Sequence, residues 1–375
     1  MNRKLIYLLS VLLFTLNSKS IGQTFDNHLF SDYKIHTTDT SKLFIEIENI
    51  NYLRNNEYFG KVVEGYTLLG YNIAPKFTYF PNSKIKLTAG ANILSYYSRN
   101  DETKVSILLS FQYKLLPKLD FVLGNIYGTV NHKLIEPLFD FERFLNNNTE
   151  NGIQFLWNGD RFIADLWLDW EQQIFYDDPF QEKFNVGLSS CFILFENNKN
   201  KLSIPFQNLV RHEGGQINSN SSALLKTIYN NALGLSYSRN IHSKYIHNIK
   251  LSSFWVNYQD LSPTQVQMFI DGDGSYSTLE LFNKSFDILF GYWYGHQFIA
   301  PIGNPLFESY SRKNIFIEEP VRNIIMNKIS YQKNIFKGIN LGFRFDSYYD
   351  LDDSNFEYSW SFLLIYNGQF LVRNF

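Results

Sequence analysis

Cysteine is nearly absent from this chain, with Cys191 alone among 375 residues. One thiol excludes an internal disulfide, and its setting in FNVGLSSCFILF suits a packed side chain in a strand. Beyond the N-terminus, no run approaches the roughly 20 apolar residues that a membrane helix needs. An excess of basic charge is missing too: 34 basic residues face 36 acidic ones, which argues against a nucleic-acid partner. The seven histidines are scattered without HxH or HExxH. DGDG at 271–274 lacks the remaining ligands of a calcium loop and reads as a turn in a long loop. These absences leave no expected metal site and no cofactor.

Aromatic residues are abundant. Phe (35) and Tyr (25) raise the aromatic share to 18%, while mean hydropathy is only -0.23. Many aromatics, modest hydropathy and no spanning helix are what alternating strands produce, because each lipid-facing residue is averaged with a polar neighbour.

The first residues, MNRKLIYLLSVLLFTLNSKSIGQ, carry Arg3 and Lys4, an apolar stretch from Leu5 to Leu16, and small residues at Ser20 and Gly22. This is the pattern of a cleaved export signal over 1–22. Its removal takes away Arg3, Lys4 and Lys19, leaving 31 bases against 36 acids and a charge of -5. Residues 23–41 then read as a short periplasmic stub and 42–375 as one all-β domain.

Period-two alternation recurs through that domain. Val105, Ile107, Leu109, Phe111 and Tyr113 alternate with polar residues, as do Ile339, Leu341, Phe343 and Phe345, and Phe356, Tyr358, Trp360, Phe362 and Leu364. Sixteen strands are expected, within a range of 14–18, with the hairpin at Asn283-Lys284-Ser285 the weakest. The connections alternate in length. Tight ones such as PNSK (81–84), LPK (116–118) and NGD (158–160) carry turn chemistry, while 131–150, 173–183, 211–226, 258–276 and 296–321 are long. The chain closes on FLVRNF, ending in Phe375.

Export signal, alternation, short turns against long loops and a terminal aromatic together resemble a Gram-negative outer-membrane β-barrel of porin type. The resemblance implies a transmembrane antiparallel up-and-down barrel in the outer membrane. It further implies contact with outer-membrane lipid and lipopolysaccharide, recognition of Phe375 by the barrel-assembly machinery, and possible homo-oligomers.

One segment fixes which side is wet. In RFIADLWLDWEQQIF (161–175), Phe162, Leu166, Leu168 and Trp170 share one face, and Asp165, Asp169 and Glu171 the other. Carboxylates in hydrocarbon cost kilocalories, so the acids face a lumen and the apolar face meets lipid. Lys104, Gln112, Lys114, Arg344 and Asp346 join them as lumen candidates. Loop 131–150 packs His132, Glu136, Asp140, Glu142 and Arg143 between apolar residues, which suits a segment folded back into the barrel as a constriction. EPLF (136–139) and NPLF (304–307) share a Pro-Leu-Phe core and could meet across the lumen. The leading functional expectation is passive diffusion of small hydrophilic solutes, with no enzymatic activity. Two alternatives are a plugged docking barrel and a lipid or lipopolysaccharide hydrolase around His212. The latter rests on LVRHEGGQINSNSS (209–222), where a His near Ser219, Ser221 and Ser222 resembles the Ser–His pair of outer-membrane lipid hydrolases, without a clear acid behind it.

Overall fold

The computed structural model describes residues 25–215, 223–241 and 243–375. The expected export signal and Ser219, Ser221 and Ser222 lie outside these residues. Sixteen strands form one closed antiparallel barrel. They are β1 (Lys42–Glu57), β2 (Thr67–Asn82), β3 (Ile85–Tyr96), β4 (Arg99–Leu116), β5 (Leu119–Asn125), β6 (Asn151–Asn158), β7 (Phe162–Gln172) and β8 (Glu182–Glu196). The circuit continues with β9 (Asn200–Gly214), β10 (Lys226–Asn240), β11 (Asn248–Asp260), β12 (Asp271–Phe282), β13 (Phe286–His296), β14 (Val321–Phe336), β15 (Ile339–Asp350) and β16 (Asn355–Asn374). Each strand pairs with its sequence neighbours, and β1 closes on β16 from Lys42↔Asn374 to Glu57↔Tyr358. Closure leaves no strand edge to be satisfied in hydrocarbon.

The turn at Asn283-Lys284-Ser285 is real, with Asn283 N–H donating to Phe286 O at 2.8 Å. DGDG is not in a loop: it opens β12, and its backbone pairs with β11 and β13. Two connections on the long-loop rim are tight, at 97–98 and 351–354.

The side chains alternate as lipid and lumen require. On β7, Asp165, Trp167 and Asp169 are buried, while Leu166 is 44% and Phe162 42% exposed. Outward residues of β4 are barer still, with Ile107 at 74%.

The lumen is not left to water. Three segments enter it: residues 25–41, the β5–β6 loop (126–150) and the β13–β14 loop (297–320). The two Pro-Leu-Phe segments do meet. Asn304 N–H donates to Glu136 O at 3.1 Å, its amide to Glu136 Oε1 at 2.7 Å, and Asp140 N–H to Ile302 O at 2.8 Å. Gly303 permits the crossing, since a Cβ there would lie 2.1 Å from Pro137 O. Behind them, Phe298, Ile299 and Phe307 pack with inward Val256, Tyr258, Tyr276, Trp293, Ile324 and Tyr348 into a dry core spanning β11–β15.

Candidate functional sites

The inserted β5–β6 loop is tied to the wall by charge. His132 lies in a 3-10 turn (Thr129–His132), its Nδ1 2.7 Å from Asp165 Oδ2 and its Nε2 2.8 Å from Glu150 Oε2. Its ring stacks on Trp167 at 3.6 Å and 9°. Gly187 makes room for that indole, because a Cβ would come within 2.1 Å of Trp167 Cζ2. Burial lowers the His132 pKa, but the Glu150 and Asp165 carboxylates outweigh it and push it up to about 10. A group so firmly protonated at neutral pH is a structural cation and not a general base.

Further along, Glu136 joins Lys328, Tyr348 and Asn304. Glu142 binds Asn56 at 2.7 Å, Tyr66 and Arg54. Arg143 reaches Glu171 at 2.7 Å, which also holds Arg211 at 2.8 Å. Arg344 bridges Asp346 at 2.8 Å and Asp26 of the N-terminal segment. Most lumen candidates read from the sequence therefore fall in four ion-paired clusters inside the barrel, one of which runs Glu142–Arg54–Asp346–Arg344–Asp26. Asp140 sits beside it, accepting from Glu142 N–H at 3.0 Å, and Asp169 accepts from Asn151 N–H at 3.0 Å. Gln112 donates to Tyr33 O at 2.9 Å. Lys104 is exposed near the long-loop end of β4, and Lys114 lies opposite Asp120 at the short-turn end. Trp167, on the same face as Asp165 and Asp169, is 3% exposed and covered by His132. Arg54, Glu150, Arg211 and Lys328 were missed. Lys328 shares its face with Ile324 and Met326, so alternation there reads as inverted.

The outer wall holds a second constellation. On β10, Leu233, Leu235 and Tyr237 are exposed and share their face with Thr227, Tyr229 and Asn231. The same parity on neighbouring strands brings Asn208, Asn231, Asn257, Asp273 and His296 into one row of successive cross-strand partners on β9–β13. Below it, Ser253 and Ser277 share a hydrogen bond of 2.9 Å. Tyr229 O–H donates to Asn208 at 2.6 Å, and the Asn257 amide to Asn231 at 3.1 Å. His296 Nδ1 is 3.6 Å from Asp273 Oδ1, both groups about half exposed. His212 faces the same side at the top of β9, with Nδ1 2.9 Å from Thr227 Oγ1 and its ring tilted over Phe184. Among the described residues, no carboxylate stands behind His212.

An even-stranded closed barrel with an apolar outer band, tight turns on one rim and long loops on the other is an outer-membrane β-barrel protein of porin-like architecture. Its architecture is similar to Pseudomonas aeruginosa OprD, at 9% identity and TM-score 0.52 over 91% of this chain and 97% of that one. Pseudomonas putida OprB gives 9% and 0.51 over 88% and 94%, and Vibrio cholerae OmpT 8% and 0.50 over 87% and 100%. Residues 35–375 match the lipid A 3'-O-deacylase-type family, and the chain belongs to it. No functionally curated protein matches the chain in sequence.

Proposed function

We propose that this protein is an outer-membrane hydrolase that cleaves an acyl ester of a lipid A-type glycolipid at its outer wall. The observation that carries the reading is the Asp273–His296 pair on the lipid-facing side of β12 and β13, at the long-loop rim, in a chain of this family. Acyl esters of a glycolipid lie where headgroups meet hydrocarbon, the depth at which this row of polar side chains interrupts an apolar wall. His296 takes a proton from water, the oxygen attacks the ester carbonyl, and the sugar alkoxide leaves with that proton as the fatty acid departs. Asp273 holds the imidazole; its 3.6 Å separation is of the kind that tightens when substrate excludes water. The neighbouring Asn257 amide is the candidate donor to the developing oxyanion.

Fatty-acid release from lipid A in mixed micelles tests the reading. His296→Ala should reduce turnover by about 100-fold or more, and Asp273→Asn should reduce it less. His212→Ala should leave it near wild type. Full activity in His296→Ala rejects the assignment, and loss confined to His212→Ala moves the site to β9. A second reading, diffusion of small hydrophilic solutes, is favoured by two lumen cavities of about 300 and 390 Å³. It requires stable ohmic steps in planar bilayers.

A further inference from the structure

The smaller cavity has two lysines outside its ion pairs. It lies inside the barrel toward the short-turn end, between the β5–β6 loop above and the N-terminal residues Phe25, Asp26, Phe30 and Tyr33. Four carboxylates line it, and each has a cation, with Arg344 and His132 shared with Asp346 and Glu150 behind the lining. Asp26 is held by Arg344, Glu136 by Lys328, Asp165 by His132, and Glu280 by Lys250 at 2.9 Å. Two lysines on the lining, Lys133 and Lys201, have no carboxylate within ion-pair distance among the described residues. Lys133 lies within electrostatic reach of Lys201 and of Asp165, and its Nζ is 5.4 Å above the Phe30 ring.

The wall beside them is built for an acceptor. Ser238 stands between Lys201 and Lys250 in the strand ladder, and the next inward row is Ser203, Ser236 and Ser252. Ser236 and Ser252 share one hydrogen bond of 2.8 Å. The rest of the lining is largely apolar, including Phe139, Leu156, Phe254 and Leu289. Two ammonium groups outside the ion pairs attract an anion, and hydroxyls complete its coordination.

We propose that this cavity binds a small amphiphilic anion. A carboxylate or phosphate-ester head sits between Lys133 and Lys201, and an apolar tail lies over Phe30 and Phe139. The site is separate from the Asp273–His296 row, on the opposite side of the barrel wall, and stands whether or not that row is catalytic.

Cys191 also lines the cavity and is the only thiol in the chain, so it reports on the site without a substitution. The full mature chain in phosphatidylcholine nanodiscs is labelled with thiosulfonates of equal size carrying a sulfonate or a trimethylammonium group. The anionic reagent should react about tenfold faster, an advantage that Lys133→Gln with Lys201→Gln removes while heat-resistant migration of the barrel is retained. Octanoate or octyl phosphate should slow the reaction, and whichever protects at the lower concentration identifies the head group; octanol should not protect. Equal rates for the two reagents, equal protection by octanol, or no labelling by either reagent overturns the proposal.

Discussion

Strands β3–β8 and β9–β14 form walls of opposite chemistry toward the long-loop rim. Outside, β3–β8 present Ile93, Ile107, Leu109, Phe121, Phe155, Leu166 and Val186, broken within the band only by Ser190, which donates to Phe206 O. Inside, that wall buries Asn92, Gln112, Gln154, Asp165, Asp169 and Asn185 beside Val122, Leu156 and Trp167. On β9–β14 the order reverses. Asn208, Asn231, Asn257, Asp273 and Asn323 face out, while Ile228, Val256, Tyr258, Trp293 and Ile324 form a dry core within. A smaller polar patch, Asn49, Asn51 and Asn55, lies on β1. Half of the barrel obeys membrane rules through its height. The other half obeys them near the short turns and is organised like a soluble protein toward the loops.

The comparison can be broken or sharpened by substitution. The largest effect is expected inside the reversed wall: Trp293→Ala should cost about 3–5 kcal/mol in reversible unfolding from lipid vesicles, the price of a soluble-type core cavity. Next, an arginine should be tolerated differently on the two outer faces. Leu109→Arg should cost about 2–4 kcal/mol and Asn231→Arg about 0–1 in the same assay. Equal costs would show that both walls meet the same hydrocarbon. Gly187→Ala should cost about 1–3 kcal/mol by displacing Trp167 from His132, read as loss of the loop's protease resistance.

The smallest effect is one of pH. His132 has a folded pKa of about 10 against 6.5 when unpaired. Its stabilisation is therefore complete below pH 6.5 and lost as pH rises toward 10. Thermal midpoints of the wild type should decline over that window, and His132→Gln should flatten the decline.

The barrel was legible because lipid imposes strict alternation, visible in runs such as Val105–Tyr113 and in turns rich in Asn, Lys and Gly. The inward fold of loop 131–150 was legible too, since its charges alternate with apolar groups that a free loop has no reason to carry. The Asp273–His296 pair was not. Gly-Asp-Gly composition reads as loop, and a polar residue in an alternating strand is assigned to the lumen unless its neighbours' parity is known. The ion-paired clusters were half legible, because a residue such as Glu136 reveals its location but not its partner Lys328, 192 positions away.

The outward apolar stretch on β12 is only Leu279 and Leu281, whereas β4 offers five residues from Val105 to Tyr113. A bilayer of uniform thickness cannot match both sides at once. The barrel must lean, or the leaflet beside β12 must pinch inward, at a cost of fractions of a kilocalorie per ångström. Either response draws headgroups down along that flank, so the lipids there meet Asp273 and His296 already thinned and disordered.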